Sequence, residues 1–142
     1  MRRVNLLMKL FVKGHVWLYQ SSGGRRGSTM RGRKILLLTT VGSKSGKRRT
    51  VPVVPFFDGG ETYVIASMGG APQDPAWYKN LRANPDVDVQ LGPEQWHGRA
   101  IPMEGPERDR LWKAIAEQMP DFGKYQEKTS RMIPVVRLAR HA

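Results

Sequence analysis

The chain has 142 residues, enough for one domain with a real core and too few for several of ordinary size. It contains no cysteine, which excludes disulfides and thiolate chemistry and is compatible with a reducing, cytoplasmic compartment. The net charge of +12 is lopsided: residues 1–57 hold thirteen Lys or Arg and no acid, whereas the rest holds eleven cations and twelve acids. The basic half is therefore expected to face something anionic, whether membrane, nucleic acid or a charged cofactor.

Residues 3–19 give the first pattern. Val4, Leu7, Met8, Phe11 and Leu18 share one helical face, flanked by Arg2, Arg3, Lys9 and Lys13. Such a helix can lie peripherally on the anionic inner face of the cell membrane, or it can pack on the protein's own core. No apolar run approaches the roughly 20 residues that span a bilayer. No secretory cleavage pattern follows the N-terminus either. The Gly/Ser/Arg stretch from Gln20 to Arg33 reads as a mobile linker. The expected division is a helix and linker over 1–30 and a folded domain over 31–142.

Two short apolar runs come next, Ile35–Val41 and Val51–Phe57, rich in β-branched or aromatic residues and read as strands. Between them lies Gly42-Ser43-Lys44-Ser45-Gly46-Lys47-Arg48-Arg49-Thr50, a loop with two glycines and four cations. A loop of this kind offers N–H donors and positive charge to a phosphate or carboxylate. It is not a nucleotide-triphosphate loop: the glycines are one residue too close, Arg48 stands where Ser or Thr would hold magnesium, and no helical pattern follows.

After an Asp58-Gly59-Gly60 turn, Glu61–Ser67 reads as a third strand, antiparallel to the second. A second glycine turn, Met68-Gly69-Gly70, leads to Asp74 as N-cap and Pro75 as the first residue of a helix that ends before Pro85. Residues 87–91 and 95–103 read as strands. Gly105-Pro106 opens a helix with Leu111, Trp112, Ile115 and Met119 on one face, residues 121–126 form a short helix or turn, and 133–138 is a sixth strand. About six mainly antiparallel strands with interspersed helices imply an α+β domain whose sheet can curl into a small barrel.

Direct catalytic signals are absent from the sequence. Ser43, Ser45 and Ser67 lack a nucleophile-elbow context, and His15, His97 and His141 show no metal-ligand spacing. An enzyme built this way would leave the hard chemistry to an organic cofactor.

The run Val41–Pro52, the run Ala66–Pro85, Tyr125-Gln126 and Arg131–Val135 together resemble the deazaflavin-dependent nitroreductase family, in the same order from about residue 35 to the end. The resemblance implies a split β-barrel of the flavin-binding type that uses the deazaflavin coenzyme F420 as hydride donor, with FMN as the alternative. The coenzyme carries a phosphate and a polyglutamate tail. By the family's motif, Gly42, Ser43, Lys44, Lys47, Arg49 and Thr50 would hold the phosphate. Pro52 and Val54 would line the ring, Ala66, Ser67, Met68, Gly69 and Gly70 would run beside it, and Trp77 would close that side. Tyr125 would stand near the substrate. Phe122 occupies the place of a second tyrosine, which favours a quinone or another conjugated acceptor over a bicyclic nitroimidazole. The implied function is F420-dependent reduction of a quinone, enone or nitro compound, with no metal. A non-catalytic membrane- or nucleic-acid-binding module is the other class of reading. It ranks lower for nucleic acid because Trp17, Phe56 and Phe57 sit in apolar runs and are not interleaved with cations. The oligomeric state is left open by the sequence.

Overall fold

The computed structural model describes residues 2–30 and 32–141, with side chains from residue 6 onward. In chain order it has helix α1 (Arg2–Ser21), a two-stranded ribbon of β1 (Thr29–Met30) and β2 (Arg33–Lys34), β3 (Leu36–Val41), β4 (Arg48–Val53), β5 (Pro55–Asp58) and β6 (Glu61–Ile65). A single 3-10 turn at Met68–Gly70 precedes α2 (Ala76–Ala83), β7 (Asp86–Leu91), β8 (Glu94–Pro102), α3 (Gly105–Gln118), α4 (Pro120–Glu127) and β9 (Val135–Arg140). Seven strands form one antiparallel sheet in the order β4-β3-β7-β8-β9-β6-β5.

The expected α+β barrel is present, with one more strand in its sheet than the six counted along the chain. The run 51–57 is two strands, not one. β4 pairs with β3 at one edge of the sheet, and β5 pairs with β6 at the other. The chain therefore passes at Val54 from one edge to the opposite edge, which requires a curled sheet. Pro52 and Pro55 flank this step, and proline lacks the N–H that a central strand would need. The ribbon at 29–34 is a further difference: it occupies ground expected to be linker, and Ile35 N–H bonds Ser28 O at 2.7 Å to lead it into β3.

Inside the curl, Leu36 and Leu38 of β3 pack with Val64, Leu81, Val87, Val89, Val136 and Leu138, all at most 4% exposed. A second core lies under α3 and α4, where Phe56, Tyr63 and Ile65 meet Leu111, Ile115, Phe122 and Ile133. Leu111 and Ile115 are the expected buried face of α3. The capping expectation at α2 fails in a useful way. Pro75 is the N-cap and makes no side-chain bond, because the Asp74 carboxylate is engaged elsewhere, by Arg131.

The last turn of α1 belongs to the barrel. Tyr19 is fully buried against Ile35 and Leu37, its hydroxyl donates to Ile35 O at 2.8 Å, and it accepts from Gly92 N–H at 2.7 Å. Burial pushes the Tyr19 phenol up from its ordinary value. The segment behind it is pinned as well: a Cβ on Gly24 would lie 1.8 Å from Gly92 O. Further back the helix is bare. Leu6, Leu7, Met8, Leu10, Phe11 and Trp17 are each more than half exposed, whereas Val12, His15 and Val16 turn inward. Of the expected apolar face, Leu7, Met8, Phe11 and Leu18 point to solvent; the side chains of Val4, Arg2 and Arg3 lie outside the described residues. Among the described residues no helix is long and apolar enough to cross a membrane.

Candidate active site

Two neighbouring clefts lie along β4 and the start of α2. The first, of about 290 Å³, is lined by Gly42, Ser43, Lys44, Ser45, Arg49, Ala76, Lys79 and Asn80. The second, of about 310 Å³, is lined by Pro52, Val53 and Val54 on one side, by Ser67, Met68, Gly69, Pro75 and Trp77 on another, and by Arg33, Asp121, Phe122 and Tyr125 opposite. Residues from β4 and from α2 reach both clefts, so an elongated ligand could lie across them.

The first cleft is cationic by side chain more than by backbone. The loop joining β3 to β4 closes on itself: Gly42 N–H bonds Lys47 O at 2.7 Å, Gly46 N–H bonds Gly42 O at 2.9 Å, and Lys47 N–H bonds Ser45 Oγ at 3.2 Å. Ser43 N–H donates to Asn80 Oδ1, and the buried Asn80 donates in turn to Thr40 Oγ1. The loop was expected to present many backbone donors, yet four of its amides are committed to holding its shape. Lys44 and Arg49, the hydroxyls of Ser43 and Ser45, the amides of Lys44 and Ser45, and Lys79 from α2 are what remain for an anion. Lys79 was missed in the sequence, where its only signal is that one helical turn separates it from Pro75. Lys47 does not line this cleft. Arg48 points to the other face of the sheet and pairs with Asp88, and Thr50 lies on that face too, bonded to Thr39 Oγ1 at 2.7 Å.

The second cleft has an apolar wall and a polar wall. Pro52, Val54 and Trp77 supply the first. The turn after β6 supplies part of the second, and one side chain fixes that turn. Arg131, only 14% exposed, donates to Ala66 O, Ser67 O and Ala71 O at 2.8–3.1 Å and to Asp74 Oδ1 at 3.0 Å. A guanidinium satisfying three carbonyls and a carboxylate ties four residues of the 66–74 segment into one geometry. Ala66 is fully buried and meets the cleft only through its neighbours. The two glycines of the turn differ. Gly69, at φ +64°, has open space where a Cβ would go, whereas a Cβ on Gly70 would lie 2.6 Å from Tyr125 O. Gly70 is thus the close approach of the turn to α4, and Gly69 is the one that lines the cleft. Met68, with φ +47°, is the only non-glycine residue with positive φ among the described residues.

Opposite stands α4. Tyr125 is half-buried, edge-on to Phe122 with ring centres 5.4 Å apart, and its hydroxyl faces Asp121 Oδ2 at 3.4 Å. Arg33 of β2 reaches across to form a two-toothed pair with the Asp121 carboxylate, 2.8 and 2.5 Å long, and lies over the Phe122 ring. The Arg33 hydrogen bond holds the Asp121 carboxyl below the usual carboxylate range, so it is ionised throughout the neutral region. Tyr78, next to Trp77 on α2, is a core residue at 8% exposure. Sequence reading found neither Arg33 nor Asp121, because 88 positions separate them and one was assigned to a linker.

Among the described residues no cluster of His, Cys, Asp or Glu could hold a metal ion. A cationic cleft running into an apolar one with a polar far wall fits a phosphate-bearing coenzyme with a flat ring. The open space above Gly69, beside the proline and tryptophan, leaves room for such a ring to approach backbone closely. The residues therefore fit the group that the sequence resemblance implied.

Comparison with known proteins supplies the family. A model of the F420H(2)-dependent quinone reductase family matches residues 11–139. An F420H(2)-dependent quinone reductase of Mycobacterium tuberculosis is 39% identical over 130 residues, covering 89% of this chain and 87% of that protein. A solved F420-H2 dependent reductase superposes with a TM-score of 0.66 at 44% identity, over 73% of this chain and 92% of its own. Another solved structure, described as a domain-swapped dimer, gives a TM-score of 0.70 at 38% identity over 89% of this chain and 95% of its own.

Proposed function

The chain belongs to the F420H(2)-dependent quinone reductase family, and from that premise we propose that it reduces a quinone or a closely related conjugated acceptor in the cleft between β4, the Ser67–Gly69 turn and α4. It is an oxidoreductase of the split-barrel type, and its coenzyme is F420. When bound, the reduced deazaflavin supplies a hydride. What this chain adds is position, electrostatics and exclusion of water.

In this reading Lys44, Arg49 and Lys79, with the hydroxyls of Ser43 and Ser45, bind the coenzyme phosphate, and Lys47 meets the acidic tail beyond it. Pro52, Val54 and Trp77 line the ring, and the turn at Ser67, Met68 and Gly69 is held against its edge by Arg131. Tyr125 touches the substrate and can pass a proton to its oxygen. The single observation that carries this reading is the sharing of β4 and α2 between a cationic cleft and an apolar one. The apolar Phe122 favours a quinone over a more polar acceptor. The test is steady-state reduction of a naphthoquinone and of a nitroimidazole by reduced F420, alongside titration with F420 and FMN. Faster nitroimidazole turnover would overturn the substrate class.

A membrane surface is the place we infer for this work. The support is the exposed row Leu6, Leu7, Leu10, Phe11 and Trp17 on α1, interspersed with Lys9 and Lys13, because lipid-soluble quinones are met at such a surface. Apolar insertion and attraction of cations to acidic lipid act together there. Liposome flotation of the full chain and of a chain lacking residues 1–12 tests it; equal flotation would remove α1 from the contact. The related domain-swapped dimer makes exchange of α1 between two copies the competing use of the same row, and light scattering would reveal it as a stable dimer without lipid.

A further inference from the structure

The polar wall of the second cleft has a feature that family membership does not account for. Arg33 comes from the ribbon that precedes the first barrel strand, and its side chain is 35% exposed at the mouth of the cleft. The pairing with Asp121 uses one N–H on each terminal nitrogen. Guanidinium has five such donors, so three are left, and among the described residues they meet no other acceptor. The plane is fixed twice, by the two-toothed pair and by the Phe122 ring 5.6 Å beneath it. Phe122 offers the cleft no hydroxyl. The guanidinium lying over it supplies donors at the same place.

We propose that Arg33 is a catalytic residue of quinone reduction, donating N–H to the substrate oxygen that becomes anionic as hydride arrives. The inference rests on the substrate occupying this cleft, as proposed above. Hydride addition brings two electrons and one proton to the quinone and leaves one ring oxygen as a phenolate. A proton from Tyr125 or from water completes the hydroquinone; reduced F420 would supply the hydride, and the proton given up on its oxidation would balance the one taken up. A donor already in place where that charge develops stabilises the transition state without reorganising. Asp121 is a positioning residue in this scheme: it aims the fork and, through Tyr125, ties the proton donor to the same anchor. Its negative charge also cancels much of the long-range attraction of Arg33, so the effect is directional and short-ranged. Neutral quinones can enter without a charged pocket to desolvate.

The experiment compares wild type with Arg33→Met, Arg33→Lys and Asp121→Asn. It reads kcat and KM for a naphthoquinone, the dissociation constant of F420, thermal melting, and the affinity for a hydroxynaphthoquinone that is anionic at neutral pH. Loss of one oxyanion donor costs about 10²–10³ in kcat, so Arg33→Met should fall by that order with F420 affinity unchanged. Arg33→Lys should recover only a minor part, because a single ammonium lacks the fork. Binding of the anionic ligand should weaken in Arg33→Met while the parent naphthoquinone binds as before. Wild-type kcat and unchanged anion binding in a folded Arg33→Met would overturn the proposal. Should Arg33→Met not fold, full activity in Arg33→Lys would do the same. Met68→Trp, which fills the cleft mouth, separates this failure from that of the site itself. Unchanged turnover there means the substrate lies elsewhere, whereas lost turnover there with an active Arg33→Met removes only the role of Arg33.

Discussion

The two ends of β4 are built on opposite plans. At the Arg49 end the cations Lys44, Arg49 and Lys79 reach out from an exposed loop and helix. Four of the loop's backbone amides are spent on holding its shape. At the Val53 end the charges, Arg131 with Asp74 and Arg33 with Asp121, are locked in pairs that fix the walls of a cleft. Binding a phosphate tolerates a loose constellation, since attraction between charges falls off slowly and side chains can adjust. Hydride transfer does not: a misplacement of about 1 Å can cost about 10²-fold in rate. On the proposed reading, affinity is entrusted to exposed charge and chemistry to paired charge.

The sharpest way to break this contrast is Tyr125→Phe, which removes a hydroxyl at the paired end and nothing else. General-acid assistance is worth about 10²–10⁴-fold, so kcat should drop within that range with F420 affinity intact. Equal turnover would mean that water delivers the proton. Arg131→Met comes next. It leaves three carbonyls and Asp74 without their donor, each unmet group costing about 1–3 kcal/mol, and frees the turn beside the coenzyme. A fall in kcat of about 10²-fold, with a lower melting temperature and weaker F420 binding, is the expected outcome. Activity of the wild-type order in a stable Arg131→Met would show that the turn needs no brace.

At the exposed end the effects should be smaller and of another kind. Lys44→Ala and Arg49→Ala should each weaken F420 binding by about tenfold, or roughly 1.4 kcal/mol. This sensitivity should shrink as salt screens the exposed charges, with kcat at saturating coenzyme unchanged. A loss that persists at high salt would mean these cations sit in a drier site than their exposure indicates. The smallest expected contrast lies inside the turn itself. Gly70→Ala meets Tyr125 O and should lower the melting temperature, whereas Gly69→Ala adds only the strain of a positive φ, about 1 kcal/mol. Gly69→Ala should instead weaken coenzyme binding. The opposite assignment would place the ring against Gly70.

α1 shows how a correct local reading can still miss a role. Its helical period was plain, and residues 7, 8, 11 and 18 do share an unburied face. Yet the linker after it was read as freely mobile, which made the whole of residues 1–30 separable from the barrel. Tyr19 contradicts that: it plugs the barrel beside Ile35, Leu37 and Val54, and Val54 lines the second cleft. A tyrosine near the end of an amphipathic helix carries no local mark of being a plug. Its partners, Ile35 O and Gly92 N–H, are 16 and 73 positions away.

The sequence by itself determined the barrel class, the order of its helices, the basic loop between β3 and β4, the glycine turn before α2 and the place of Tyr125 on α4. The barrel class and the importance of Tyr125 came with the family resemblance; the rest rests on short-range signals: apolar alternation, helical period, proline and glycine punctuation, and a local run of cations. Only the tertiary structure decided that residues 51–57 split between opposite sheet edges, that four of the loop amides are spent on its shape, and that Thr50 turns away while Lys79 turns in. It alone brought Arg33 to Asp121 and Arg131 to the turn at 66–74. The reason is that a strand alternates faces residue by residue, and a curled sheet decides which face meets which cleft. Ion pairs between remote segments follow from that closure, and nothing in the local pattern of either partner encodes the other.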